Sequence, residues 1–85
     1  MELISNENFK KLTKLFYKAE KIVNSDVISW SEKYDLFFPG ISRKVSSIIC
    51  IDYYDPDTSY EDDVLAYFSA FKEIFEKYQD LNLFK

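Results

Sequence analysis

Gly40 is the only glycine in this 85-residue chain, and Pro39 and Pro56 are its only prolines. Tight hairpins depend on residues that reach positive φ or preset a turn, and a multi-stranded sheet would find too few of them here. Helices need such punctuation only at their ends. With 47% of residues hydrophobic and 19% aromatic, the chain carries enough apolar side chains to fold. The expected fold class is all-α, and the length corresponds to one helical domain over residues 1–85.

Hydrophobic periodicity divides the chain into four helical stretches. The first runs from about Glu7 to Val23, with Asn6 or Ser5 as its cap. Phe9, Leu12, Phe16, Ala19 and Val23 recur at three- and four-residue steps, widened by Leu15 and Ile22. Ser29-Trp30-Ser31-Glu32 fits a capping box that opens a second helix, whose apolar face is Trp30, Tyr34, Phe37 and Phe38. Pro39-Gly40 is expected to end it, since proline lacks a donor and glycine permits a reversal.

The third stretch, Ile41 to about Tyr53, reads two ways. Ile41, Val45, Ile48, Ile49 and Asp52 step like a helix, yet Ile48-Ile49-Cys50-Ile51 is rich in β-branched residues and suits a buried strand. Helix is the choice because no second strand is evident. Thr58-x-x-Glu61 then forms another capping box. Val64, Phe68, Phe71, Phe75 and Tyr78 follow in heptad-like steps, flanked by Leu65 and Ile74. The tail Asp80–Phe84 is expected to fold back on the domain. Short connections make a small antiparallel four-helix bundle the expected arrangement.

Charge is unevenly placed. Residues 1–44 carry eight bases and six acids, whereas residues 45–85 carry three bases and nine acids. The acids concentrate in Asp52-Tyr53-Tyr54-Asp55-Pro56-Asp57-Thr58-Ser59-Tyr60-Glu61-Asp62-Asp63, which has six carboxylates, three tyrosines and no base. Crowded carboxylates repel unless solvent screens them or a cation meets them. Tyrosine adds rigid, amphipathic contact area. Such a surface suits a basic partner, although a solvated loop has the same composition. Direct nucleic-acid binding is disfavoured, since phosphates need clustered Lys and Arg. Lys10, Lys11, Lys14, Lys18 and Lys21 fall on the polar side of the first helix, where a solvated face explains them.

Several chemistries are closed to this composition. There is no histidine and one cysteine, Cys50, so Ser/His/Asp, Cys/His and Cys/His-zinc sites are excluded. Cys50 lies in an apolar run and reads as a small buried hydrophobe, which is compatible with the cytoplasm. A signal peptide and a membrane-spanning stretch are not expected. Asp55-x-Asp57-x-Ser59 resembles the start of a calcium loop, but Tyr60 stands where glycine is needed and Ala66 where a bidentate Glu is needed. No enzyme activity and no cofactor or metal are expected.

The C-terminal half resembles the small immunity proteins that protect bacteria from tRNA-cleaving toxins of the colicin D type. The resemblance rests on Ile48–Ile51, Tyr53-Tyr54, Pro56-Asp57, Tyr60-Glu61-Asp62-Asp63 and the helix from Val64 through Tyr78, covering roughly residues 48–78. Ile28-Ser29-Trp30-Ser31-Glu32 is similar to the capped start of that family's second helix. This implies a helical bundle that binds a basic nuclease toxin and occludes its cleft. Asp52, Asp55, Asp57, Glu61, Asp62 and Asp63 would be the electrostatic contacts, with Tyr53, Tyr54 and Tyr60 as anchors. Glu61, Asp62 and Asp63 serve equally well to complement a helix N-terminus. Two other functions have the same sequence features. One is a phage-type inhibitor that mimics nucleic acid. The other is a helical module that self-associates through surplus aromatic surface, so the free chain could be monomer or dimer.

Overall fold

The computed structural model describes residues 3–51 and 57–82. Among the described residues the chain is helical, with no strand. Helix α1 spans Asn6–Val23. Helix α2 spans Trp30–Asp35 and runs through a wide turn, Leu36–Ile41, into α3, Ser42–Ser46. Helix α4 spans Tyr60–Asn82. At 1.5 Å per residue α4 is about 35 Å long, and it sets the long axis of a molecule measuring 40 × 25 × 18 Å.

The capping residues behave as local chemistry requires. Ser5 Oγ accepts from the Asn8 N–H at 3.1 Å, and Ser29 Oγ accepts from the Glu32 N–H at 3.2 Å. Each satisfies one of the donors left orphaned at a helix start.

α4 packs against both α1 and α2, and this widens its buried face beyond a heptad seam. Val64, Phe71, Phe75 and Tyr78 are buried as expected, but Tyr67 joins them while Phe68 is only half-buried and Leu65 is exposed. Tyr67 and Phe68 are adjacent and serve different neighbours. Phe68 stacks on Phe16 of α1 at 5.4 Å, whereas Tyr67 meets Phe38 edge-on at 5.2 Å. Phe16 is the hub of the α1–α4 contact, also stacking on Phe75 at 4.6 Å and meeting Phe71 edge-on at 5.6 Å.

The expected break at Pro39-Gly40 is a kink instead. Phe38 alone leaves the helical region, with φ −125° and ψ 104°, as a residue before proline tends to. Helical turning then resumes, and the Ser42 N–H reaches back to the carbonyls of Phe37 and Pro39. Gly40 does not adopt positive φ, so no reversal depends on it. Phe37 and Ile41, on either side of the kink, both point into the core.

The third helix is shorter than the expected Ile41–Tyr53. It ends at Ser46, where Ser46 and Ser47 hydroxyls donate to the carbonyls of Arg43 and Lys44 at 3.0 and 2.7 Å. The Ser47 N–H still reaches the Arg43 carbonyl, but the next donor, the Ile48 N–H, bonds Val45 in place of Lys44, whose carbonyl takes the Ser47 hydroxyl. The β-branched run that follows is neither helix nor strand within the described residues. Ile49 is buried, Ile48 and Ile51 pack partly, and Cys50 points outward. The reading of Cys50 as a buried hydrophobe is thus corrected: its apolar neighbours take the inward positions. At the other end, α4 continues through Leu81 to Asn82 instead of folding back after Tyr78. Leu83 and Phe84 lie outside the described residues.

One buried charge ties the elements together. Lys33 is 4% exposed, and its Nζ donates to the Val23 carbonyl at 2.9 Å while lying 4.0 Å from the Trp30 ring centroid. The last carbonyls of a helix carry partial negative charge and lack intrahelical donors. Lys33 therefore satisfies the end of α1 from α2, and the Trp30 face supplies further stabilisation of the cation.

Candidate functional site: a tyrosine and carboxylate groove at the start of α4

The start of α4 is set by Ser59. Its Oγ accepts from the Asp62 N–H at 3.2 Å, and its carbonyl accepts from the Asp63 N–H at 3.0 Å. The cap expected at Thr58 thus falls one residue later, on Ser59. Thr58 is engaged elsewhere, donating its hydroxyl to the Asp63 carboxylate. That hydrogen bond turns Asp63 back over the helix start and leaves Glu61 and Asp62 exposed in the first turn. Carboxylates there gain about 0.3–1 kcal/mol from the helix dipole.

Tyr60 opens the helix with 53% of its surface exposed. Its ring lies 5.0 Å from that of Tyr34, which in turn lies 5.0 Å from Phe38. Phe38 contacts the buried Tyr67. An aromatic series therefore runs from the surface at Tyr60 to the core, and it gives an exposed side chain a defined seat. Tyr34, Thr58, Ser59, Tyr60 and Asp63 line a groove of about 440 Å³.

Of the residues expected to contact a partner, Asp57, Tyr60, Glu61, Asp62 and Asp63 fall within the described residues, and Asp52, Tyr53, Tyr54 and Asp55 lie outside them. Tyr60, Asp63 and Thr58 meet in the groove, Glu61 and Asp62 stand on the exposed first turn beside it, and Asp57 is exposed just before the cap. Tyr34 belongs to this site although the sequence places it in the core of the second helix. Its four-residue steps from Trp30 and to Phe38 mark one helix face, but nothing local indicates that α4 begins beside that face.

The groove offers one carboxylate, Asp63, with phenols and hydroxyls, and with the exposed Glu61 and Asp62 beside it this set binds cations and amide donors through charge-assisted hydrogen bonds. Among the described residues no three of His, Cys, Asp and Glu are grouped so as to hold a metal ion. Among the same residues no helix is long and apolar enough to cross a membrane. Comparison with protein-family models, with curated proteins and with solved structures finds no match to this chain.

Proposed function

We propose that this chain is an immunity-type inhibitor, a cytoplasmic helical domain without catalytic activity that binds a basic nuclease toxin, a tRNase, and covers its active-site cleft. In this reading the two long helices and the kinked segment form an antiparallel four-helix arrangement that presents the start of α4 to the partner. The observation that carries the proposal is the seating of Tyr60 on Tyr34, 5.0 Å apart, beside a first turn bearing Glu61, Asp62 and Asp63. A nuclease cleft is cationic because it holds phosphates, so an acidic surface associates with it quickly and a desolvated aromatic anchor then slows dissociation. Of the described aromatic residues only Tyr17 and Tyr60 are exposed, which leaves little surplus aromatic surface among the described residues for self-association.

The experiment is affinity capture from the native lysate with the wild-type chain and with a Tyr60→Ala/Asp62→Asn variant, followed by a tRNA-cleavage assay on what is recovered. Both side chains are exposed and the cap itself rests on Ser59, and because Tyr60 also contacts Tyr34 the circular dichroism and melting of the variant are matched to the wild type before capture. The proposal expects a basic nuclease, silenced in the complex, with affinity lowered at least about tenfold by the variant. Recovery of no nuclease, or equal affinity for both baits, rejects it.

A further inference from the structure

A second groove, of opposite charge, lies between α1 and the end of α3. Asn8, Lys11, Lys14 and Leu15 face Lys44, Ser47 and Ile48 across about 430 Å³, a volume at the lower end of the range of ligand pockets. The local sequence explains the lining. Lys11, Lys14 and Leu15 are spaced i, i+3 and i+4, so they share one face of α1. Ser46 and Ser47 stop α3 and bring Ile48 round beside it.

Leu15 and Ile48 are half-buried and form an aliphatic floor, while Lys11, Lys14 and Lys44 are exposed around it. Lys11 is within 3.7 Å of Glu7. Among the described residues neither Lys14 nor Lys44 has a carboxylate at ion-pair distance. Ammonium groups gathered at one groove repel each other, and an anion placed between them relieves that repulsion.

We propose that this groove docks an acidic amphipathic segment of a partner protein, with an aliphatic side chain on the Leu15–Ile48 floor and carboxylates against Lys11, Lys14 and Lys44. The floor selects this occupant. Single-stranded nucleic acid is held by stacking its bases on aromatic faces, and this floor has none. A bilayer is met by a protruding apolar face, whereas this one is recessed. An amphipathic helix laid in a groove uses apolar anchors at three- and four-residue steps flanked by charge. This docking face is separate from the start of α4 and does not depend on the function proposed for it.

The test is a ¹⁵N–¹H NMR titration of the full chain with a synthetic peptide that has leucines at three- and four-residue steps and glutamates between them. Shifts confined to Asn8–Leu15 and Lys44–Ile48 are expected, with affinity falling as salt rises. Lys14→Gln/Lys44→Gln should weaken binding about tenfold, and a peptide with lysines in place of the glutamates should not bind. Both lysines are exposed, and the variant's own spectrum reports whether the fold is kept. The proposal is overturned if the peptide shifts the start of α4 instead, or binds the variant within about twofold of the wild type. It is equally overturned if a single-stranded oligonucleotide occupies the groove more tightly, or if sedimentation shows a second copy of the chain filling it.

Discussion

The α1–α4 contact and the kinked segment from Trp30 to Ser46 both bury a periodic face, but the kinked segment adds contacts of another kind. Along α1 and α4 the buried residues recur at helical steps, and one aromatic, Phe16, meets Phe68, Phe71 and Phe75. Any two long helices with such stripes would bury them against each other. The kinked segment also carries a stripe, with Lys33, Phe37, Ile41 and Val45 buried at four-residue steps, although the backbone bends at Phe38. To that stripe are added single contacts from other elements: the Val23 carbonyl on Lys33, Tyr67 against Phe37 and Phe38, and Tyr60 against Tyr34. Periodic burial fixes which side of a helix faces inward, whereas these added contacts fix which element lies opposite. The candidate partner surface lies at one of those added contacts, Tyr60 on Tyr34.

The largest effect expected to expose this contrast is Phe71→Ala. Phe71 is fully buried between α1 and the rest of α4, and its truncation should cost about 3–5 kcal/mol. Chemical denaturation measures this, and a loss under about 1 kcal/mol would show that the seam is not the dominant core.

Tyr67 joins the two regions, and its titration reports on that junction. Burial pushes its phenol from the ordinary 10.0 up to about 12. Between those values the folded chain holds the proton more tightly than the unfolded chain, so stability falls as pH rises through the window. Below pH 10 the contribution is fully present. The loss should reach roughly 2 kcal/mol, and Tyr67→Phe should flatten that part of the stability profile. Unchanged slopes in wild type and variant would mean that Tyr67 is not desolvated at the junction.

Lys33→Met tests the kinked segment alone. Methionine keeps a long apolar side chain but leaves the Val23 carbonyl without its donor and Trp30 without its cation. The expected cost is about 1–2 kcal/mol in thermal unfolding, and a neutral result would place the anchor elsewhere. Gly40→Ala has the smallest expected effect, and the opposite sign. An added Cβ at Gly40 meets nothing within 4 Å, and its φ is not positive. Restricting the unfolded chain should raise stability by about 0.4–1 kcal/mol. A lower melting temperature would show that the kink needs glycine after all.

The binding site was legible in parts. Tyr60, Glu61 and Asp62 could be read as exposed because acids flank the tyrosine and a helix start favours negative charge. Asp63 could not be separated from them by composition, yet Thr58 engages it while its neighbours face solvent. Tyr34 was hidden, because an aromatic on a helical stripe looks like core until its neighbour in space is known. The lysines of α1 read as one solvated face. For Lys11 and Lys14 that reading is incomplete, since Lys44 comes from a distant part of the chain to form a groove with them.

The amino-acid sequence alone determined the helical character, the cap at Ser29 and the inward face of α1, and it left the first cap between Ser5 and Asn6. Each depends on residues within a turn or two of one another. Tertiary structure decided the rest: that Tyr67 is buried, that Lys33 is an internal anchor, that Cys50 points outward, and that the chain bends at Phe38 without ending its helical course. Burial at those positions depends on which element lies opposite, and α4 has two partners where periodicity suggests one. A period records which side of a helix is apolar, but not how many neighbours will cover it.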